Sequence, residues 1–450
     1  MLQILLLTAY FPPDEHVGAR RWGRLAKYLQ RNGVSVRVIA SAECDSEQDP
    51  EHQRRVHRVD IGRNLPDLLA LRLSRLRPRS ATPPSLRPLG AGGKPSATAA
   101  ARRAIGKLLR FPDPHWFAWR AFANAALHAI DVERPSVIVA THPYALTLKA
   151  AAHVSQKTGI PWVADMRDGW STYYFGAYAS SPLARYALRC LERRTLRSAC
   201  CVVTVTASMA VDLQVEPERV RVVPNCFDPE FALESPARAG FESGGALQLA
   251  FAGSLGEGHL LEPLLLAVRD LQLDPMSRRI SISYFGDYFG VLHRAARQLG
   301  VPEELLIDRG YVPQRELREY LSGADLLVVL GFSGNFGKAV ATAKIFDYLE
   351  AGRPVLGICD GKSELANVIK QTGAGFVTDS KDGVIAVIRS INRARVGARV
   401  AEMPHKQSLR GSPFGADMVA AQYERILRSA VDRKVGLTGT RAVRQCGRGH

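Results

Sequence analysis

The chain opens on a largely apolar run at residues 2–8. An amphipathic stretch at 20–32 follows, closed by Gly33, and a second apolar run occupies 35–40. The same alternation returns further on. It predicts strands at 136–140, 162–165 and 201–206, with helices at 145–158 and 181–198. Continuous apolar strands are what a parallel sheet covered on both faces requires, and strand–helix alternation marks βαβ units. After Val223-Pro224-Asn225 comes a polar, Gly-rich stretch with the composition of a linker. A strand then resumes at 247–252 and the alternation repeats. The expected architecture is therefore α/β, with two domains of similar size, 1–232 and 247–412, joined by a linker at 233–246. A helix within 413–432 is long enough to return to the first domain. The tail, 433–450, is basic and poor in apolar periodicity, and reads as disordered.

One region departs from the alternation. Residues 65–79 mix leucine with arginine, and 80–101 are rich in Pro, Gly, Ser and Ala, which reads as a flexible loop. Between Ile61 and Arg110 stand eleven Lys or Arg and one acid, Asp67. The insertion at about 65–110 suits adsorption onto anionic lipid, the alternative being a mobile segment whose charges are merely solvated. A second basic group, Arg20, Arg21, Arg24, Lys27 and Arg31, lies on the first expected helix. The formal net charge of the 450 residues is +17. That excess favours an anionic partner: a membrane surface, phosphorylated ligands or nucleic acid. No pairing of aromatic and basic strand positions and no recognition helix supports nucleic acid.

No run of eighteen apolar residues is present, and the short apolar start lacks the basic opening of a signal peptide. A cytoplasmic protein, peripheral on the inner face of the membrane, is expected. Seven scattered cysteines form no C-x-x-C pair, which argues against a metal site or a disulfide framework.

Candidate chemistry gathers where strands end, since open α/β sheets bind ligands there. Gly18 lies in the loop between the first strand and first helix and permits close backbone approach. His142 follows the strand at 136–140 and offers a hydrogen bond or a shared proton. Asp165-Met166-Arg167-Asp168 places two acids around one arginine. One acid is a candidate proton acceptor, against the alternative of a structural Asp–Arg pair, and the neighbouring Trp170 suits sugar stacking. Gly253-Ser254 opens the second domain in a loop of three glycines whose amides can face phosphate. Tyr311 and Val312, in another strand-end loop, are placed to flank a nucleobase. The stretch from Ala341 to Leu356 reads as a helix starting at Thr342, stopping at Gly352 and leading into a buried strand. Its start, with the amides near Thr342 and Ala343, would face an anion, and Lys338 or Lys344 would add a cation. Asp347 sits one turn on, where a carboxylate can accept from sugar hydroxyls.

Taken in order, Tyr10-Phe11-Pro12-Pro13 with Gly18, Asp165 to Trp170, Val223-Pro224-Asn225, Phe251-Ala252-Gly253-Ser254, Gly310-Tyr311-Val312-Pro313 and Lys344-Ile345-Phe346-Asp347-Tyr348-Leu349 with Gly352-Arg353-Pro354 resemble the retaining GT-B glycosyltransferases of family 4, in particular members from bacterial surface-polysaccharide synthesis. The resemblance implies two Rossmann-like domains facing each other across a cleft. It implies a nucleoside-diphosphate sugar held mainly by the second domain, and a saccharide or lipid-linked acceptor held mainly by the first. Asp347 matches the acid that usually binds the ribose, with Glu350 a nearby rival. Asp168, His142 and Lys344 are the catalytic candidates, and Arg20, Arg21 and Trp170 the acceptor or membrane side. Three departures stand out: Ala339 replaces an earlier acid, Gly258-His259-Leu260 replace an Arg and a Lys, and one glycine remains in the first loop. No Asp-x-Asp stands where it would hold a divalent ion, so no metal cofactor is expected. A sugar-nucleotide epimerase and a non-catalytic binding protein of the same architecture are the rival readings.

Overall fold

A computed structural model describes residues 1–14, 16–41, 55–61, 111–113, 115–171, 182–233, 245–256, 258–274, 278–396, 409 and 411–446. The basic insertion and most of the linker lie outside the described residues.

The first domain carries a parallel sheet of seven strands: β1 (Gln3–Leu7), β2 (Ser35–Ser41), β3 (Val56–Val59), β4 (Val137–His142), β5 (Trp162–Met166), β6 (Cys201–Thr204) and β7 (Val220–Val222). Their order is β3-β2-β1-β4-β5-β6-β7. The second domain carries six: β8 (Leu247–Ala252), β9 (Ile280–Phe285), β10 (Leu306–Asp308), β11 (Leu326–Leu330), β12 (Val355–Ile358) and β13 (Gly375–Thr378). Their order is β10-β9-β8-β11-β12-β13, again all parallel. Each sheet grows outward on both sides of its first strand, as in a doubly wound fold.

The apolar runs work as two-sided strands. In β1, Leu5 and Leu7 enter one core with Phe122, Leu146 and Trp162, while Ile4 and Leu6 enter the opposite core with Trp22 and Leu25. In β8, Leu249 and Phe251 face one helical layer and Ala250 and Ala252 the other. The last helix, Ala416–Cys446, lies across the first domain. Its Val419, Ala420, Tyr423 and Leu427 complete that domain's second core, with the Trp22 and Tyr423 rings 5.2 Å apart, edge to face. The segment from 433 onward, expected to be disordered, continues this helix as far as Cys446; no proline interrupts it.

Because every strand in a sheet runs the same way, the loops after β1, β4, β5 and β6 emerge at one end of the first domain. Those of the second domain meet them across a cleft.

Candidate functional site

The cleft holds a cavity of about 190 Å³. On the first-domain side it is lined by Arg20, Arg21, Arg24, Arg167, Asp168 and Thr206 among others. On the second-domain side lie Ala339, Val340, Ala341, Thr342, Ala343 and Phe346. The helix expected from Thr342 begins two residues later, at Lys344, and ends at Ala351, capped by Gly352, whose φ of 63° is the left-handed stop a glycine makes readily. The amides of Lys344, Ile345 and Phe346 bond back to Thr342 and Ala343. Among the described residues no acceptor holds the amides of Thr342 and Ala343, and both residues line the cavity.

Lys344 follows Ala343 of the cavity wall in sequence and is not itself among the lining residues. Its Nζ donates to the Ser254 carbonyl at 3.0 Å and lies 5.1 Å from the centre of the Phe251 ring. Burial, with no carboxylate partner among the described residues, pushes its pKa down to about 8. Gly253, with φ of 105°, makes room for it: a Cβ there would sit 2.2 Å from Lys344 Cε. Lys344, Gly253 and Ser254 are thus brought together. Lys338 is not among the cavity-lining residues. It pairs with Asp360 at 3.3 Å on the surface. Tyr311 is 62 % exposed, and Val312 packs against the second domain's core.

The first helix, Val17–Arg31, brings several of the expected site residues into contacts within the protein. Arg20, Arg24, Lys27 and Arg31 share one face, and that face meets acids of the second domain and of the segment leading to it. Arg20 and Arg24 both engage Asp347, the latter at 3.0 Å, and Arg24 also engages Glu350 at 2.7 Å. Lys27 reaches Asp228 at 2.6 Å and Glu230 at 2.7 Å, and Arg31 pairs with Glu230. Arg20 and its neighbours, expected to face acceptor or lipid, therefore form an ionic seam between the domains. Glu350, the rival ribose ligand, is buried beneath Arg24 and accepts the Asp228 amide at 2.8 Å, so it is a seam residue. Burial raises its carboxyl pKa against the pull of Arg24.

Arg21 is likewise structural. Its side chain is 2 % exposed and meets Asp165, which is wholly buried, through Nε and Nη2. It also donates to the carbonyls of Val223 and Pro224. Trp170, expected to stack on a sugar, has no exposed surface and belongs to the first domain's core. His142 is also buried. Its Nδ1 lies 3.0 Å from the Asp168 carbonyl, and burial lowers its pKa to about 4, so it is a neutral loop anchor rather than a proton carrier open to the cleft. Polarity alone reads such residues as exposed; only packing shows otherwise.

Asp168 does line the cavity, its carboxylate held by Arg167 at 2.8 Å. Gly18 serves close packing: a Cβ would come within 2.6 Å of Tyr10, 2.9 Å of Arg167 and 2.9 Å of His16. Arg167 and Arg24 are cleft residues the sequence reading left without a site role. His16 it missed as well. This residue caps the first helix by accepting the Gly18 amide at Nδ1, 3.0 Å away, which leaves the proton of the neutral ring on Nε2. A histidine two residues before the helix glycine was the available signal. Among the described residues no group of three or more His, Cys, Asp or Glu is placed to hold a metal ion, and no helix is long and apolar enough to cross a membrane.

Two Rossmann-like domains facing each other across such a cleft make this the GT-B fold. Sucrose-phosphate synthase from Thermosynechococcus elongatus superposes with a TM-score of 0.58 at 14% identity, over 95% of this chain and 99% of its own. A lipopolysaccharide outer core galactosyltransferase in its apo form gives 0.52 at 10% identity, over 95% and 99%. A Listeria monocytogenes protein described as a UDP-N-acetylglucosamine 2-epimerase gives 0.50 at 12%, over 96% and 97%. In sequence, residues 18–226 match the family model described as a glycosyl transferase 4-like domain. Among curated proteins none matches the chain.

Proposed function

We propose that the protein transfers a sugar from a nucleoside-diphosphate sugar to an acceptor hydroxyl, with retention at the anomeric carbon. The observation that carries this reading is the cavity between the domains, lined by Thr342 and Ala343 on one side and by arginines of the first helix on the other. A diphosphate leaving a sugar needs fixed positive charge and amide donors, already in place as its own charge grows. Thr342, Ala343 and Lys344 would supply them from the second domain, and Arg20 and Arg167 from the first, without a divalent ion. The family match over residues 18–226 supports transfer chemistry. In the retaining reaction the leaving diphosphate itself would take the acceptor proton, with Asp168, paired with Arg167, bordering the cavity. Tyr311 and Val312 would border the base, and Asp347 would exchange its arginines for the ribose hydroxyls. The acceptor we place among saccharides, including lipid-linked ones of bacterial surface polymers, at the inner membrane face.

A melting-temperature screen with UDP-, GDP- and ADP-sugars tests the donor, because a ligand of the native state raises the midpoint by mass action. Asp347→Ala is expected to abolish the shift; a shift untouched in Asp347→Ala removes the ribose assignment. Gly253→Ala is expected to expel the Lys344 ammonium and reduce the nucleotide-induced shift as strongly as loss of the lysine. An unchanged shift would show that the lysine seat does not matter. Incubation with the donor alone separates transferase from epimerase: an epimer accumulating without acceptor would establish the second reading, which the Listeria structure's likeness motivates.

A further inference from the structure

The seam on the first helix leaves unanswered where the chain's excess positive charge is presented. A second cavity, of about 180 Å³, lies between the last helix and the strands β6 and β7. It is lined by Cys200, Cys201, Arg221, Arg425, Ile426, Ser429, Ala430 and Arg433. Cys201 begins β6, whereas Thr206, beyond the other end of that strand, lines the cleft. The two cavities are thus separated by about 13 Å of strand, at opposite ends of the first domain. Arg425, Ser429 and Arg433 stand four residues apart, on one stripe of the helix.

Three arginines line this hollow, and among the described residues none has a carboxylate partner. Arg221 is steadied by the carbonyls of Glu218 and Val220, at 2.8 and 2.7 Å, and the Arg425 Nε by the Ala421 carbonyl at 3.5 Å. Two neighbouring acids are engaged elsewhere: Glu216 holds Arg219 and Glu424 holds Arg428, each at 2.7 Å. The two thiols add no negative charge. Burial pushes Cys200 up to about 11 and raises Cys201 as well, and the Cys200 thiol donates to the Trp162 carbonyl at 2.9 Å. Ile426, Ala430 and the cysteines make the floor apolar, with Ala430 and Cys201 buried.

We propose that this hollow binds the phosphate group of an organic phosphate, clamped by Arg221, Arg425 and Arg433, with the ester carbon over the apolar floor. Arginine forks match phosphate oxygens bidentately, and three like charges in one concavity repel one another until an anion joins them. The residues differ from those of the cleft, so the site stands or falls independently of the donor reading. The same chemistry serves a lipid headgroup or a free phosphate ester, and the test separates them.

The full chain is compared with Arg425→Glu/Arg433→Glu and with a control of equal charge, Arg185→Glu/Arg189→Glu, on exposed positions of the helix Pro182–Leu196. Flotation at low salt uses phosphatidylcholine vesicles with and without phosphatidylglycerol; titration uses glycerol 3-phosphate. The milder Arg425→Gln/Arg433→Gln serves if charge reversal unfolds the helix. Phosphatidylglycerol-dependent flotation reduced about tenfold or more in the Arg425/Arg433 variant but kept in the control assigns the site to a lipid headgroup. Glycerol 3-phosphate binding lost in that variant alone, with flotation equal in all three proteins, assigns it to a free ester. The proposal is overturned if neither probe separates the variant from the control.

Discussion

Asp165→Ala is expected to lower the unfolding free energy by about 3–5 kcal/mol, the usual consequence of leaving one member of a buried ion pair alone. Arg21 would lose two bonds to the carboxylate, at 3.0 and 3.2 Å, and the Trp22 indole N–H would lose its acceptor at 2.8 Å. Neither group can reach water, because Arg21 and Asp165 are both enclosed and Trp22 is buried against the last helix. Arg21 is also the brace of the Val223–Asn225 loop, which enters the cleft at Asn225. The damage should therefore include looser interdomain geometry as well as a lower melting temperature. The double replacement Arg21→Met/Asp165→Leu removes both charges together. It should recover most of the loss, since apolar residues of similar volume often match a buried pair in stability. Urea unfolding of the three proteins checks this. A loss in Asp165→Ala no larger than that of an exposed carboxylate, under about 1 kcal/mol, would show that the pair is not what holds the first helix to its sheet.

This pair also marks the limit of what could be read from the sequence. Strands appeared as continuous apolar runs, and the spans 145–158 and 247–252 coincide with the observed helix Ala145–Thr158 and strand β8. The runs are legible because a parallel sheet covered on both sides leaves no polar positions to interrupt them. Helix ends were clear where glycine takes the left-handed conformation, as at Gly352. The charged residues were another matter. Arg21 and Arg20 are adjacent, equally basic, and point to different fates, one into the sheet and the other toward Asp347. Helical spacing groups Arg20, Arg24, Lys27 and Arg31 on one face, yet says nothing about the acids opposite. Those acids stand some two hundred to more than three hundred positions later in the chain. His142 misleads because a loop carbonyl, that of Asp168, meets its ring nitrogen inside the fold, and Trp170 because its large ring is buried in the core even though its Nε1 meets no acceptor among the described residues. The Lys344 seat, by contrast, was legible in part. A glycine after a strand and a lysine at a helix start are local signals, although their mutual contact is not.

Lys344→Met should lower kcat of donor-dependent transfer by about 10²–10³-fold, the range for removing one preorganised charge donor. The unliganded protein should be no less stable, because methionine relieves the desolvation that depresses the ammonium. That same depression predicts a pH dependence with a definite sign. Free Lys344 loses its proton near pH 8, below the ordinary 10.5. A bound diphosphate favours the charged form and raises the pKa in the complex. Above about pH 8, binding must therefore take up a proton, so nucleotide affinity falls as pH rises, approaching tenfold per pH unit. Below that pH the lysine is already charged and contributes no slope. Folding carries the opposite sign: the native state binds fewer protons than the unfolded chain between about pH 8 and 10.5, so this residue makes the protein more stable as pH increases through that window. Calorimetric titration with the cognate nucleotide from pH 6.5 to 9.5 distinguishes the effects, since Lys344→Met should remove the slope along with most of the affinity. A wild-type affinity flat across pH 8 would place the diphosphate away from this lysine.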